Sequence, residues 1–335
     1  TLLNLAGVEI INVKSHGAVG NGTTDDTTAI QAAIDAACAG SVTGSFDGVT
    51  VVAEGITYFP PGNYLHAGLT YKGGPLMGAG PNLTRLSYNG SGASISAIGS
   101  TSARKRLNIK DIRLDGTSAT GSARGIDIGH CYRSLRALDN VVISNFPGNG
   151  IYFVRDSWIM GFHDVFVVFC ADVAGAGIGV DTTNADSLLS MEWYNLVLEI
   201  NGRTGTSTSG GIHLERTDMS LLSQWAFYGG TWEGNLGAAE ATFTSLQSLG
   251  IYGLYIESAL AAAGAVDGLI FDGSTTAVVS GCLNHAVAGH AGTAFKFEDT
   301  AVVSLDGPNL HTNWSEHIRV TDSAKVVLLS EGNLD

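Results

Sequence analysis

Three glutamates carry the strongest chemical signal in the chain. Glu199, Glu233 and Glu257 lie 34 and 24 residues apart, inside segments of similar pattern: YNLVLEIN at 194–201, YGGTWEGN at 228–235 and YGLYIES at 252–258. If these segments stack as neighbouring strands, the carboxylates share one outward position, ~5 Å from the nearest neighbour and ~10 Å from the next. Those separations bracket the ~5–5.5 Å of retaining and the ~6.5–9.5 Å of inverting carboxylate pairs. Like charges this close raise one pKa, so identical residues become an acid and a base. Glu233, with a carboxylate on each side, is the expected general acid, and a flanking glutamate the base or nucleophile. Tyr255 shares the face, while Tyr194, Tyr228 and Tyr252 recur at the strand entrance. Tyr228 and Tyr255 are therefore candidate ligand platforms. A solvated acidic column on an exposed sheet is the alternative.

A second set belongs to a different motif. Asp127 lies in GIDI, Asp181 ends GIGVD and Glu215 ends GIHLE, with His213 beside Glu215 and Asp218 three residues on. Asp181 and Glu215 are the stronger catalytic candidates here, with His213 and Asp218 as binding groups, because the coils at 177–241 are the longest. Loops on a rigid scaffold are where binding groups gather. Acidic residues recur at the strand end in later copies (Asp272, Glu298, Asp322), which is also what a turn feature would do. His163 beside Asp164 reads as structural, and the run Arg104, Lys105, Arg106 as a solvated turn. His285, His290, His311 and His317 have no metal-ligand spacing, and no metal or other cofactor is expected.

Composition removes several classes. The 335 residues are 44% hydrophobic and 14% charged, enough apolar material for a large core and against disorder. With 45 Gly but only 6 Pro and no Gly-X-Y period, the chain is turn-rich rather than collagenous. A net charge of −14 argues against a nucleic-acid partner. The 4 Cys lack zinc or disulfide-scaffold spacing and read as reduced core thiols. No apolar run reaches the ~18 residues of a membrane span, so no membrane insertion is expected. The first residues show neither an initiating Met nor a signal-peptide pattern, as expected of a trimmed or processed piece.

An internal repeat sets the elements that must position these groups. A motif of Gly (Ala at 294), apolar, any residue, apolar recurs at 125, 150, 177, 211, 268 and 294, with a weaker copy at 318 and a degenerate one near Ala241. A period near 25 residues is too short for a domain and fits one coil of a solenoid, which buries its inward side chains only by stacking on its neighbours. A second ladder runs in phase with the first. Asp111, Asn140, Asp164, Asn195, Gly229 and Gly253 are turn-formers at its entrance, and Leu114, Ile143, Val167, Leu198, Trp232 and Ile256 should point inward. Asn201 and Asn235 should stack at its end. The fold class is all-β, a parallel β-helix of about 25 residues per coil.

Residues 21–37 differ: Ile30, Ala33, Ile34, Ala37 and Cys38 form the stripe of a helix that Thr24 or Asp25 can cap. A short N-terminal capping helix would protect the open end of the solenoid. Residues 50–66 read as strand, tight turn, strand. No linker divides the chain, so residues 1–100 (cap and first coils) and 101–335 (β-helix body) form one continuous domain.

HGAVGNGTTDDTTAIQAAIDAA at 16–37, with TYFPPGNYLHAGLTYKGGPLMGAG at 57–80, resembles the opening region of the pectate-lyase-like superfamily of right-handed β-helices. That group contains polygalacturonases and the tailspike or capsule-depolymerase proteins of tailed phages. The resemblance implies a right-handed coil and a polysaccharide-processing role. The polygalacturonase pattern of NTD, a DD pair, GHG and RIK is not matched, and the middle coils look more like tailspikes. The likeness to tailspikes implies a virion-tail or extracellular homotrimer that hydrolyses a bacterial surface polysaccharide. Lyase chemistry and a non-catalytic glycan-binding spike are the alternatives on the same fold.

Overall fold

The computed structural model describes residues 9–39, 42–46, 49–53, 55–101, 103–173, 175–181, 187–202, 210–215, 222–237, 239–258, 266–286, 291–306, 309–314 and 316–328. Asp218 and His290 lie outside the described residues. The described strands form a parallel β-helix. One sheet has ten strands, and a second has 18 strand segments that wrap around the other two faces of the coil. Ten rungs at ~4.8 Å make a rod of about 43 Å.

The Gly-apolar motif builds the ten-stranded sheet in one register. Ile95, Ile126, Ile151, Ile178, Ile212, Ala241, Leu269, Phe295 and Ile318 pair in succession. Ala241 supplies the degenerate rung that the repeat spacing required. The second ladder is equally regular: Leu114, Ile143, Val167, Leu198, Trp232 and Ile256 pair in order, and each is fully buried.

The bend between the second and third faces sits where the turn-formers predicted it. Asp111, Asn140, Asp164, Asn195, Gly229 and Gly253 all take φ between 50° and 64°. Asp and Asn tolerate this left-handed region, and Gly enters it freely. At Gly229 and Gly253 an added Cβ would meet nothing within 4 Å, so backbone conformation rather than space selects glycine there. In the middle coils a single strand runs through the bend, as in Ser157–Val168, Leu188–Glu199 and Leu222–Glu233.

The core is a set of internal stacks. Phe162 lies on Trp193 at 3.9 Å, and Phe243, Phe271 and Phe297 stack at 5.7 and 5.4 Å. Burying each such side chain contributes roughly 1.5–3 kcal/mol, realised only when the next coil is in place. Asn201 Nδ2 donates to Asn235 Oδ1 at 2.7 Å, the expected asparagine stack. The cysteines form no disulfides among the described residues, and Cys131, Cys170 and Cys282 are buried.

Some details depart from the sequence reading. The first coils start at Ile10, where Ile10–Asn12 pairs with Ile56–Tyr58, and the cap is the helix Thr27–Ala39, which buries Ile30, Ala33, Ile34 and Ala37. Asp25 accepts from the Thr27 N–H, whereas the Asp26 carboxylate is spent on the Val19 and Gly20 amides. Residues 49–53 form an antiparallel hairpin with 42–46, and the strand at 56–58 is separate. Arg104 is no solvated turn: its guanidinium lies 3.9 Å over the Trp158 ring.

Candidate active site

The glutamate column exists as the spacing required. Glu199 pairs with Glu233, and Glu233 with Glu257, on the outward side of the third face. Backbone bonds carry the stack onward, with Ile200 N–H donating to Glu233 O at 3.0 Å and Gly234 N–H to Glu257 O at 2.8 Å. Each carboxylate therefore has a fixed neighbour one rung away, ~4.8 Å along the axis. Among the described residues none of the three has a cationic partner. Partial burial, then the charges of Glu257 and Glu199, raise the Glu233 pKa.

Two further groups complete the column. The Tyr255 hydroxyl donates to Glu257, and that bond pushes the phenol up to about 12, so Tyr255 stays protonated as a donor. His285 occupies the next rung, paired with Glu257, and its Nδ1 lies 2.5 Å from Thr312 Oγ1. Sequence reasoning set His285 aside for want of metal spacing. Carrying the strand alignment one coil further, 28 residues past Glu257, would have found it. Behind the column lies a second missed residue, the fully buried Glu240. Its Oε2 accepts from Asn235 N–H at 3.2 Å and from Asn235 Nδ2 at 2.8 Å, and desolvation pushes its carboxyl up to about 8. Glu240 thereby closes the asparagine stack as a neutral acid.

The second set is arranged differently. Asp127, Tyr152, Gly179 and His213 form one outward column of the ten-stranded sheet. Asp127 is only 6% exposed, and Arg124 clamps it through two bonds of 2.6 Å. The same guanidinium lies 4.9 Å over the Tyr152 ring. The Asp127 carboxylate is thus engaged by an ion pair within its own strand. Asp181 follows its strand, its N–H donating to Phe153 O at 2.8 Å. Glu215 pairs with Thr244, its side chain being outside the described residues. Later strand ends carry Asp272 and Glu298, whereas Asp322 falls one position off that slot, as the pairing of Phe297 with Val320 requires. The structure thus brings together Glu199, Glu233, Glu257 and Tyr255, and leaves Tyr228 on the neighbouring face. Among the described residues no group of three or more His, Cys, Asp or Glu side chains could hold a metal ion. No described helix is long and apolar enough to cross a membrane.

Residues 10–166 match the family described as rhamnogalacturonase A/epimerase, pectate lyase-like. No curated protein matches the sequence. Among solved structures, tailspike protein 2 from an Escherichia coli O157:H7 bacteriophage aligns with a TM-score of 0.65 at 12% identity, over 98% of this chain and 44% of that one. A Geobacillus virus E2 protein, ORF18, gives 0.63 at 15% identity, over 95% of this chain and 62% of that chain. The A-module of a mannuronan C-5 epimerase from Azotobacter vinelandii gives 0.53 at 20% identity, over 94% and 99%. At these identities the likeness is one of fold. The chain spans less than two thirds of either viral protein.

Proposed function

We propose that this pectate-lyase-like β-helix is the body of a phage tailspike-type depolymerase, which cleaves a bacterial surface polysaccharide. The observation that carries the reading is the column of three glutamates with no counter-charge among the described residues, its central member raised in pKa by partial burial and by its two neighbours. In this reading Glu233 donates a proton to the glycosidic oxygen as the bond to the leaving sugar breaks. Glu199 or Glu257 acts as nucleophile or activates water, the rung spacing suiting the retaining geometry with an adjacent partner. Tyr255 orients Glu257 through its hydrogen bond. A homotrimer in a virion tail is the assembly this reading expects.

One observation favours a second chemistry. Tyr255 and His285 flank Glu257, and a neutral phenol beside an imidazole can protonate a leaving oxygen while a base removes a carbon-bound proton. That is elimination. Incubating the protein with purified capsular and O-antigen polysaccharides separates the cases. New reducing ends without ultraviolet absorbance support hydrolysis, and an absorbing unsaturated uronate supports elimination. Absence of both across the panel would leave a glycan-binding spike. Sedimentation velocity tests the trimer, against a chain mass of 34.7 kDa.

A further inference from the structure

The second face, around the bend from the glutamates, carries a separate feature. A trough of ≈ 630 Å³ runs along the helix axis there. One margin is a row of hydroxyl and amide side chains from successive coils: Ser190, Gln224, Ser248 and Thr276. Their positions follow the strand register, so polar groups recur every ~4.8 Å. The other margin is Tyr228 and Tyr252, whose rings lie 5.3 Å apart; beyond the trough the stack continues through Tyr194 and His163 at 5.0 and 4.7 Å.

The floor explains the shape. Ala226 and Gly250 pair in one outward column, leaving two rungs with little or no side chain. The Tyr252 ring leans back into that space, and a Cβ on Gly250 would come within 2.5 Å of it. Tyr228 and Tyr252 nonetheless stay 39% and 37% exposed, so edges and hydroxyls remain available. The charged lining residue is Glu192, whose carboxylate accepts from the Tyr194 hydroxyl at 2.9 Å.

We infer that this trough is a binding site for an uncharged glycan chain, laid parallel to the rod axis and distinct from the glutamate column. A periodic polymer of hydroxyl groups meets a periodic row of hydroxyls and amides, and tyrosine edges offer apolar contact beside a polar tip. Glu192, with no cation in the lining among the described residues, disfavours anionic polymers. The polar margin and the concavity fit a narrow chain better than a second copy of this protein, whose interface would be flatter and more apolar. The site does not depend on the glutamates being catalytic.

The test uses an immobilised array of neutral and acidic bacterial polysaccharides, probed with the intact chain, Tyr228→Ala, Gly250→Ala and Glu233→Gln. The nearest atoms a Cβ on Gly250 would meet are all in the Tyr252 ring, so Gly250→Ala displaces that ring and guards against a folding defect in Tyr228→Ala; circular dichroism checks both. The intact chain should retain a neutral glycan, with at least tenfold weaker retention in both trough variants. Retention of acidic glycans only, of none, or retention insensitive to both trough variants would overturn the inference. So would self-association that Tyr228→Ala abolishes. If Glu233→Gln still cleaves while the trough variants lose binding, the catalytic reading fails and this one stands.

Discussion

Two outward columns of the same rod treat carboxylates in opposite ways. Asp127 is sunk into the ten-stranded sheet and clamped by Arg124, whereas Glu199, Glu233 and Glu257 stand in line with no counter-charge among the described residues. Neighbouring charges ~5 Å apart repel by about 0.8 kcal/mol even in water-like surroundings. Stacked like charges are a destabilising choice on a sheet, where Thr or Gln would serve structure better. The clamped aspartate is what a carboxylate looks like when the fold uses it. The glutamate column tolerates a cost that the fold has no use for, and its product is a carboxyl that keeps its proton longer.

The sharpest way to break this comparison is activity. Glu233→Gln removes the proton donor while keeping the shape, and should lower the rate of glycan cleavage by at least ~10²-fold. Asp127→Asn should stay within a few-fold of the parent once folded fractions are matched. The reverse result, measured by reducing-end release, would move the active face to the ten-stranded sheet.

Next in size is the buried acid behind the column. Glu240 ionises at about 8 in the folded protein, against an ordinary value of 4.5. Below 4.5 both folded and unfolded chains hold the proton and the pH has no effect. Between 4.5 and about 8 the folded chain alone holds it, so stability falls as pH rises, by about 1.4 kcal/mol per unit. Above that window the loss is complete. Chemical denaturation at the two ends of the window should show this slope in the parent and not in Glu240→Gln, whose amide keeps the contact to Asn235 without a charge to bury.

A smaller effect tests the clamp itself. Asp127→Asn strands a part-buried guanidinium and should cost about 1–2 kcal/mol, less than a fully buried pair because Arg124 retains access to water. Glu233→Gln relieves repulsion and should be neutral or slightly stabilising in the same urea titration. Equal losses for the two would mean that both columns are structural.

How much of the molecule is legible in its sequence has a physical boundary. The register, the inward stack, the αL bends and the glutamate column were legible because a solenoid converts period into adjacency: residues one coil apart must touch. Glu240 was not legible, since it reaches Asn235 across the coil interior, five residues away on a different face, where no repeat applies. Nor was the Arg124 clamp, a local i,i+3 pairing whose strength depends on burial. The trough was half visible. Its tyrosines follow the period, but its concavity depends on the small side chains at Ala226 and Gly250, which carry no chemistry of their own.

The finest test concerns how the column divides its influence. Glu257 raises the Glu233 pKa more than Glu199 does. Removing a negative neighbour makes the charged form of Glu233 easier to reach, so both Glu257→Gln and Glu199→Gln should lower its pKa. The first shift should be the larger. Carbon-detected NMR titration of the Glu233 carboxyl reads this without depending on turnover, which matters because one of the two flanking glutamates is the expected base or nucleophile. In kinetics, the alkaline limb of the rate profile should move to lower pH in whichever flanking variant still turns over, and the other should be inactive. A Glu233 titration that ignores both substitutions would mean that burial alone sets its proton affinity, and the column would then be three separate carboxylates rather than one coupled acid–base unit.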